Sequence, residues 1–329
     1  MHPRNIYKHP PNFKELAISY PNFRKYVKQE LTGKVSIDFQ DRKAVAELTK
    51  TLLLKDFNLD VEIDESRLIP RIPLCLNYVL WIEDLLSVLN INDRKPCGID
   101  IGTGSVCIYC LLASSKGWKM LGTEADENNI TLARKNLAKN NLENQITIVP
   151  VKNFNELLLG VINEEETYDF CMCNPPFFNP NEKPVKRTPR RKEILSIASD
   201  VSTEIATHGG EVEFIKKLIK ESEVLKDKIR IYTTLVGKKS DLLVLEDEVK
   251  KSSAKTFTVT EFCQGKTMRW GIAWSFLDVT LGKSVSKEQG KAKGGKNKSK
   301  NVLRHAFINT EGVDAVAVKI KTLMGDLKV

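Results

Sequence analysis

Histidine is scarce, with four in 329 residues, and the seven cysteines are odd in number and scattered. Such a set builds no disulfide framework and suits a reducing compartment. Cys107 and Cys110 fall at the start of a predicted helix, Cys171 and Cys173 within a predicted strand, and His2, His9, His208 and His305 lie far apart. No second pair has zinc-ligand spacing, so no metal site is expected. A run of about 18 uncharged apolar residues, the length needed to cross a bilayer, is missing. The opening residues Met1 to Asn5 carry no apolar signal-like stretch, and no repeat of roughly 20–50 residues is visible.

What is present is ample core, 41% hydrophobic residues beside 28% charged, and a net charge of +9. Two stretches hold that charge. Residues 182–193 (EKPVKRTPRRKE) are net +4 and residues 283–300 (KSVSKEQGKAKGGKNKSK) net +6, leaving the rest near −1. A nearly neutral body with two cationic stretches points to a polyanionic partner, because fixed cations release the counterions condensed on phosphates. For 283–300, rich in Gly, Ser and Lys, a solvated linker explains the composition equally well. Its segment Gly290–Asn297 has the glycine and lysine spacing of a phosphate loop, but Asn297 replaces the required hydroxyl and no strand precedes it.

Along the chain, residues 1–40 contain four prolines and mix aromatics with Arg4, Lys8, Arg24 and Lys25, which reads as an extended basic arm with short helices. Residues 41–96 form a helical extension. Asp41 is a plausible cap for a helix carrying Val45, Leu48 and Leu52 on one side, and a second helix runs over about 74–90. From 97 to 282 short apolar runs alternate with helical stretches. Strands are predicted at 98–101, 119–124, 146–151, 168–173, 229–236, 258–262 and 272–276, with helices near 106–115, 127–141, 154–162, 210–227 and 240–251. This alternation predicts an α/β fold, a mostly parallel sheet with helices on both faces. The last strands lack a long helix between them and predict an antiparallel edge. A basic loop at 179–193 interrupts the core, 283–300 is a flexible loop, and 301–329 is expected to return to the sheet.

Asp100-Ile101-Gly102-Thr103-Gly104 is an apolar strand entering a glycine turn and then a helix. Glycines suit a backbone that bends sharply and approaches a ligand closely. Glu124 closes the next strand, where a carboxylate can accept both hydroxyls of a ribose. A dinucleotide fingerprint needs a third glycine where Cys107 stands, so the D-x-G-x-G pattern fits S-adenosylmethionine instead, which has no pyrophosphate to seat. After the fourth core strand comes Asn174-Pro175-Pro176-Phe177. A planar exocyclic amine is a poor nucleophile because its lone pair is delocalised. Two acceptors, the Asn174 side-chain oxygen and the Pro175 carbonyl, could bind its two hydrogens and aim that lone pair at a methyl sulfonium. The prolines hold the corner stiff, and Phe177 offers a stacking face. The target could be adenine or a glutamine amide. The neighbouring Lys183, Lys186, Arg187, Arg190 and Arg191 favour a phosphate backbone.

These motifs, with HPRNIYK, PPNF, RLIPRIPLCLNY, EFCQGKTMRW and the closing Asp326-Leu327-Lys328-Val329, resemble the methyltransferase-like protein 16 family of RNA N6-adenosine methyltransferases, the worm methyltransferase-10 type. The likeness covers nearly the whole chain, without the C-terminal RNA-binding extension of vertebrate members. It implies a Rossmann-like class I S-adenosylmethionine-dependent enzyme that methylates adenine N6 in structured RNA. The expected targets are U6 small nuclear RNA and hairpins or splice sites of S-adenosylmethionine synthetase pre-mRNA, in a splicing role. It implies a monomer without metal or membrane contact, located in the nucleus with the cytoplasm as a second compartment. Asn174, Pro175, Pro176 and Phe177 would hold the adenine. Arg71, Asp100, Gly102, Gly104, Glu124, Asn155 and Asn174 would hold the cofactor, and Arg4, Lys8, Arg187, Arg190, Arg191, Lys266 and Arg269 the RNA. The family pattern carries Arg at the position of Cys75, and Arg71, one helical turn earlier, is expected to replace it. The alternatives are a ribosomal RNA adenine methyltransferase, a glutamine methyltransferase of a translation factor, and a non-catalytic RNA-binding splicing factor.

Overall fold

The computed structural model describes residues 1–91, 93–153, 156–163, 165–176, 210–264 and 267–282. The N-terminal part holds α1 (Phe13–Ser19), α2 (Pro21–Arg24), a small hairpin of β1 (Val27–Gln29) and β2 (Val35–Ile37), then α3 (Arg42–Phe57) and α4 (Ile72–Leu86). The core follows with β3 (Cys97–Ile101), α5 (Ile108–Ser114), β4 (Lys119–Glu124), α6 (Glu127–Lys139), β5 (Ile146–Pro150) and β6 (Tyr168–Cys173). It ends with α7 (Gly210–Leu225), β7 (Ile229–Val236), α8 (Lys239–Lys251), β8 (Thr256–Gln264) and β9 (Thr267–Ser275).

The seven core strands stand in the order β5-β4-β3-β6-β7-β9-β8. The first five are parallel, while β9 runs antiparallel to both β7 and β8. This is the expected α/β sheet with its antiparallel edge. Side-chain alternation along β6 divides the core into two layers. Phe170 and Met172 join the residues of α3, α4, α5 and α6 on one face, while Cys171 and Cys173 join α7 and α8 on the other. The central strands β3, β6 and β7 are therefore covered on both faces, as a parallel sheet requires, while the edge strand β5 leaves Thr147 exposed.

Close packing fixes the register at Gly98. It pairs with Phe170, and a Cβ added at Gly98 would lie 2.1 Å from that ring. Gly98→Ala is expected to cost about 1–3 kcal/mol through overpacking, seen as a lower midpoint of urea unfolding.

The first forty residues do not stand off as an extended arm. Tyr7, Leu16 and Phe23 are buried, and the Tyr7 hydroxyl donates to Asp56 at 2.8 Å. The hairpin of β1 and β2 is not legible in the sequence, because strands of three mixed residues are too short to show a period. Asp41 does cap α3, accepting from the Lys43 amide at 2.9 Å. The buried side of α3 is Ala44, Thr49, Leu52 and Leu53, with Val45 and Leu48 only half-buried. Helix α4 with the turn after it, Ile72–Leu89, is long and apolar enough to cross a membrane, although it contains Glu83 and Asp84. Its apolar face is spent on the sheet instead: Tyr78, Val79 and Ile82 are fully buried.

The helix predicted at 154–162 is not found among the described residues 156–162. Residues 156–162 run as turns, because the buried Glu221 carboxylate of α7 collects the amides of Leu157, Leu158 and Leu159 at 2.7–3.1 Å. A helix starting at 154 would send the Leu158 and Leu159 amides to carbonyls four residues back, and Glu221 takes both instead. Strand β8 extends beyond the predicted 258–262 at both ends, and β9 begins before the predicted 272–276 and ends at Ser275. The expected return at 301–329, the loop 283–300 and the loop 179–193 lie outside the described residues.

Candidate active site

In a parallel sheet ligands bind beyond the carboxyl ends of the strands, where the strand order reverses. Here that point lies between β3 and β6, whose last residues pair as Ile101 with Cys173. Gly102 and Asn174 therefore leave the sheet side by side. The glycine turn and the Asn–Pro–Pro corner, 72 positions apart in the chain, become the two halves of one site.

Gly102 and Gly104 both adopt left-handed backbone, φ +70° and +69°, which L side chains rarely take. A Cβ at either would meet nothing within 4 Å, so conformation rather than crowding demands glycine, and the space outside stays open to a ligand. The turn is pinned to β4. The Thr103 amide donates to the Thr123 carbonyl at 2.8 Å, and the Gly104 amide to Glu124 Oε2 at 2.8 Å. Glu124 Oε1 accepts the amides of Ala125 and Asp126 at 2.8 and 3.0 Å. Oε2, with one donor, can still accept a ligand hydroxyl.

Asp100 lies fully buried behind this turn. Its Oδ2 accepts the Thr103 hydroxyl at 2.7 Å and the Cys110 thiol at 3.7 Å, while Oδ1 has no partner among the described residues. Burial pushes the carboxyl up to about 7. The Thr103 and Cys110 hydrogen bonds oppose that rise, and the nearby Glu124 charge adds to it. A buried acceptor without a donor is costly, and a ligand cation would satisfy it. This orphaned oxygen and the open space at Gly102 and Gly104 fit S-adenosylmethionine, whose α-amino group is cationic.

Cys75, in the first turn of α4, is buried beside Tyr109, with its thiol pushed up to about 12 by burial. Arg71 is exposed at the cap of the same helix. Its charge reaches Arg269 at the start of β9, whose guanidinium is depressed by burial first and by Arg71 after it, with Glu211 opposing. Thus Arg71 and Arg269 converge on this edge.

Arg4 does not join them. Its guanidinium pairs with Glu83 and Asp84 and donates to the Leu80 carbonyl at 3.3 Å, near the far end of α4. That is roughly 15 Å of helix away from Arg71. Lys8 is exposed on the same segment. At the corner, Asn174 and Pro176 are half-buried and Pro175 buried. Phe177, Asn155, Arg187, Arg190, Arg191 and Lys266 lie outside the described residues. Among the described residues no cluster of three or more His, Cys, Asp and Glu could hold a metal.

Two residues here are not legible in the sequence. Glu211, in the first turn of α7, is buried, accepts the Gly237 amide at 2.6 Å, and is pushed up to about 7 mainly by that burial. In the sequence it is an ordinary acid at a helix start. Tyr78 of α4 reaches the end of β6, and only its place on the buried face of an apolar helix hinted at it.

A family described as RNA methyltransferase matches residues 1–278. The RNA N(6)-adenosine-methyltransferase mettl16 of Danio rerio is 43% identical over all of this chain and 72% of its own length. Its Homo sapiens counterpart is 42% identical over all of this chain, which spans only 62% of that protein. The U6 small nuclear RNA (adenine-(43)-N(6))-methyltransferase of Drosophila melanogaster is 40% identical over 85% of this chain and 94% of its own. Among solved structures, the human Mettl16 catalytic domain in complex with MAT2A 3'UTR hairpin 1 aligns with TM-score 0.77 and 45% identity, covering 86% of this chain and 98% of that one. The N-terminal domain of human METTL16 in complex with SAH aligns with TM-score 0.72 and 43% identity, covering 84% and 99%.

Proposed function

We propose, from the premise that this chain belongs to the RNA methyltransferase family, that it transfers a methyl group from S-adenosylmethionine to N6 of an adenosine in structured RNA. The observation that carries this reading is the Ile101–Cys173 pairing, which sets the glycine turn beside the Asn–Pro–Pro corner. S-adenosylmethionine supplies the methyl group as an electrophilic sulfonium. Asp100 Oδ1 takes the donor's ammonium, Glu124 its ribose hydroxyls, and the turn at Gly102 and Gly104 lets the backbone approach it. Arg71 offers a cation for its carboxylate, in place of a residue at Cys75.

The Asn174 side-chain oxygen and the Pro175 carbonyl accept the two N6 hydrogens and turn the nitrogen lone pair outward. Orientation of this kind makes the displacement effectively intramolecular. The proton leaves after the methyl group arrives, so no general base is needed beside the nitrogen. Phe177 stacks on the adenine. Arg269, with Arg187, Arg190, Arg191 and Lys266, contacts RNA phosphates, and Lys8 and the docked Arg4 segment extend that surface. U6 small nuclear RNA and the hairpins of S-adenosylmethionine synthetase transcripts are the proposed targets, methylated by a monomer in the nucleus.

A single-turnover assay with labelled S-adenosylmethionine and an adenine-containing hairpin tests this. The expected product, after nuclease digestion, is N6-methyladenosine. Label found on a glutamine-containing peptide, or binding of both ligands without transfer, would overturn the assignment.

A further inference from the structure

Strand β6 pairs with β7 only as far as Cys171, opposite Tyr232. Two residues later the Cys173 amide, the last before Asn174, donates to a side chain instead: the buried Tyr78 hydroxyl of α4, at 3.2 Å. That hydroxyl lies 2.7 Å from Thr233 Oγ1, and Thr233 donates its single hydrogen to the Cys171 carbonyl at 2.8 Å. The direction of the chain of bonds follows. Because the Thr233 hydrogen is committed, Tyr78 must donate to Thr233, and its lone pair is left for Cys173. The Tyr78 ring is itself held, edge-on to Tyr109 at 5.6 Å and stacked on Trp81 at 6.1 Å. A closed circuit thus runs from one peptide of β6 through a helix and a neighbouring strand back to the same strand.

We infer that Tyr78 is a positioning residue for methyl transfer: its hydroxyl fixes the peptide preceding Asn174, and thereby the aim of the Asn174 side chain. This rests on the functional reading above. The strand must part from β7 for the corner to turn out of the sheet, and the freed amide would otherwise be buried without an acceptor. Tyr78 fills that place with an atom whose position is set by packing. The hydroxyl touches no reacting atom and exchanges no proton with the substrate. Its contribution is angular, and small errors of placement are expensive in transfer reactions.

The test is Tyr78→Phe, which keeps the ring and its stacking, and Thr233→Val, which removes the other end of the circuit. In the intact chain each is expected to lower the single-turnover methylation rate about 10- to 100-fold, with hairpin and S-adenosylmethionine affinities within about twofold of the parent. The double variant should be no slower than the worse single one, as expected when two residues act through one circuit. Amide exchange at Cys173 should accelerate in Tyr78→Phe while that at Phe170 does not change. Two results would overturn the inference alone: an active parent beside a Tyr78→Phe variant of unchanged rate, or equal losses of rate and of both affinities, which would mark a merely structural role. An inactive parent would overturn the functional reading, and this inference with it.

Discussion

Asn174→Ala is expected to lower single-turnover methylation by at least 10²- to 10³-fold, on the scale of losing one oriented polar contact in a transition state, while hairpin affinity stays within about twofold. The residue directly follows Cys173, whose amide is fixed by Tyr78, and directly precedes the buried Pro175. Its backbone is therefore held on both sides, and truncation to alanine removes the acceptor without disturbing the strand. Affinity should survive because charge contacts to the phosphate backbone dominate binding to RNA as they do to DNA. Rates are measured with saturating labelled donor and affinity by filter binding at one salt concentration. A variant that methylates at the parental rate would remove Asn174 from its role; one that loses RNA affinity in parallel would make it a binding contact.

The second large effect has opposite signs in stability and in binding. Asp100 carries a carboxyl that burial raises from the usual 3.8 to about 7. Below about pH 4 it is neutral in both folded and unfolded chains. As pH rises from there to about 7, only the unfolded chain releases the proton, so the ligand-free fold loses stability, and above about 7 the loss is complete. Its upper size is about 4 kcal/mol. Asp100→Asn is therefore expected to raise the urea midpoint at pH 8 and to make little difference at pH 4. The same variant should bind S-adenosylmethionine about 10- to 100-fold more weakly, since a hydrogen bond to a charged partner is removed. In the parent chain that affinity should climb as pH rises through about 7. Calorimetric titrations at three pH values, beside urea curves, check both halves. A variant destabilised at pH 8 with undiminished affinity would sink the account.

Much of this site was legible in the amino-acid order because its chemistry is carried by residues adjacent in sequence. The turn at Gly102 and Gly104 announces itself through glycine, and the corner at Asn174 through two prolines. Glu124 is legible because strand length places it at the sheet edge. The supporting shell was not. Tyr78 acts across 95 positions on Cys173, and Glu221 across 64 on Leu157, and no local period encodes such contacts. The failed helix at 154–162 has the same origin: a tertiary acceptor overrode an apolar run that alone favoured helix. The pairing of Arg4 with Glu83 and Asp84, some 80 residues away, is likewise illegible in the sequence, where a cation in a proline-rich segment shows no partner.

The pairing of Ile101 with Cys173 sets a length as well as a neighbourhood. Donor and acceptor halves hang from adjacent strands, so their separation derives from the interstrand spacing of about 4.8 Å, a dimension that backbone geometry imposes whatever side chains are chosen. On the RNA-contacting role proposed above, the segment that follows Pro176 can then change in length and charge without retuning the span over which the methyl group travels. Selectivity and reactivity can diverge independently, and grafting that segment between relatives should exchange the first while leaving the second untouched.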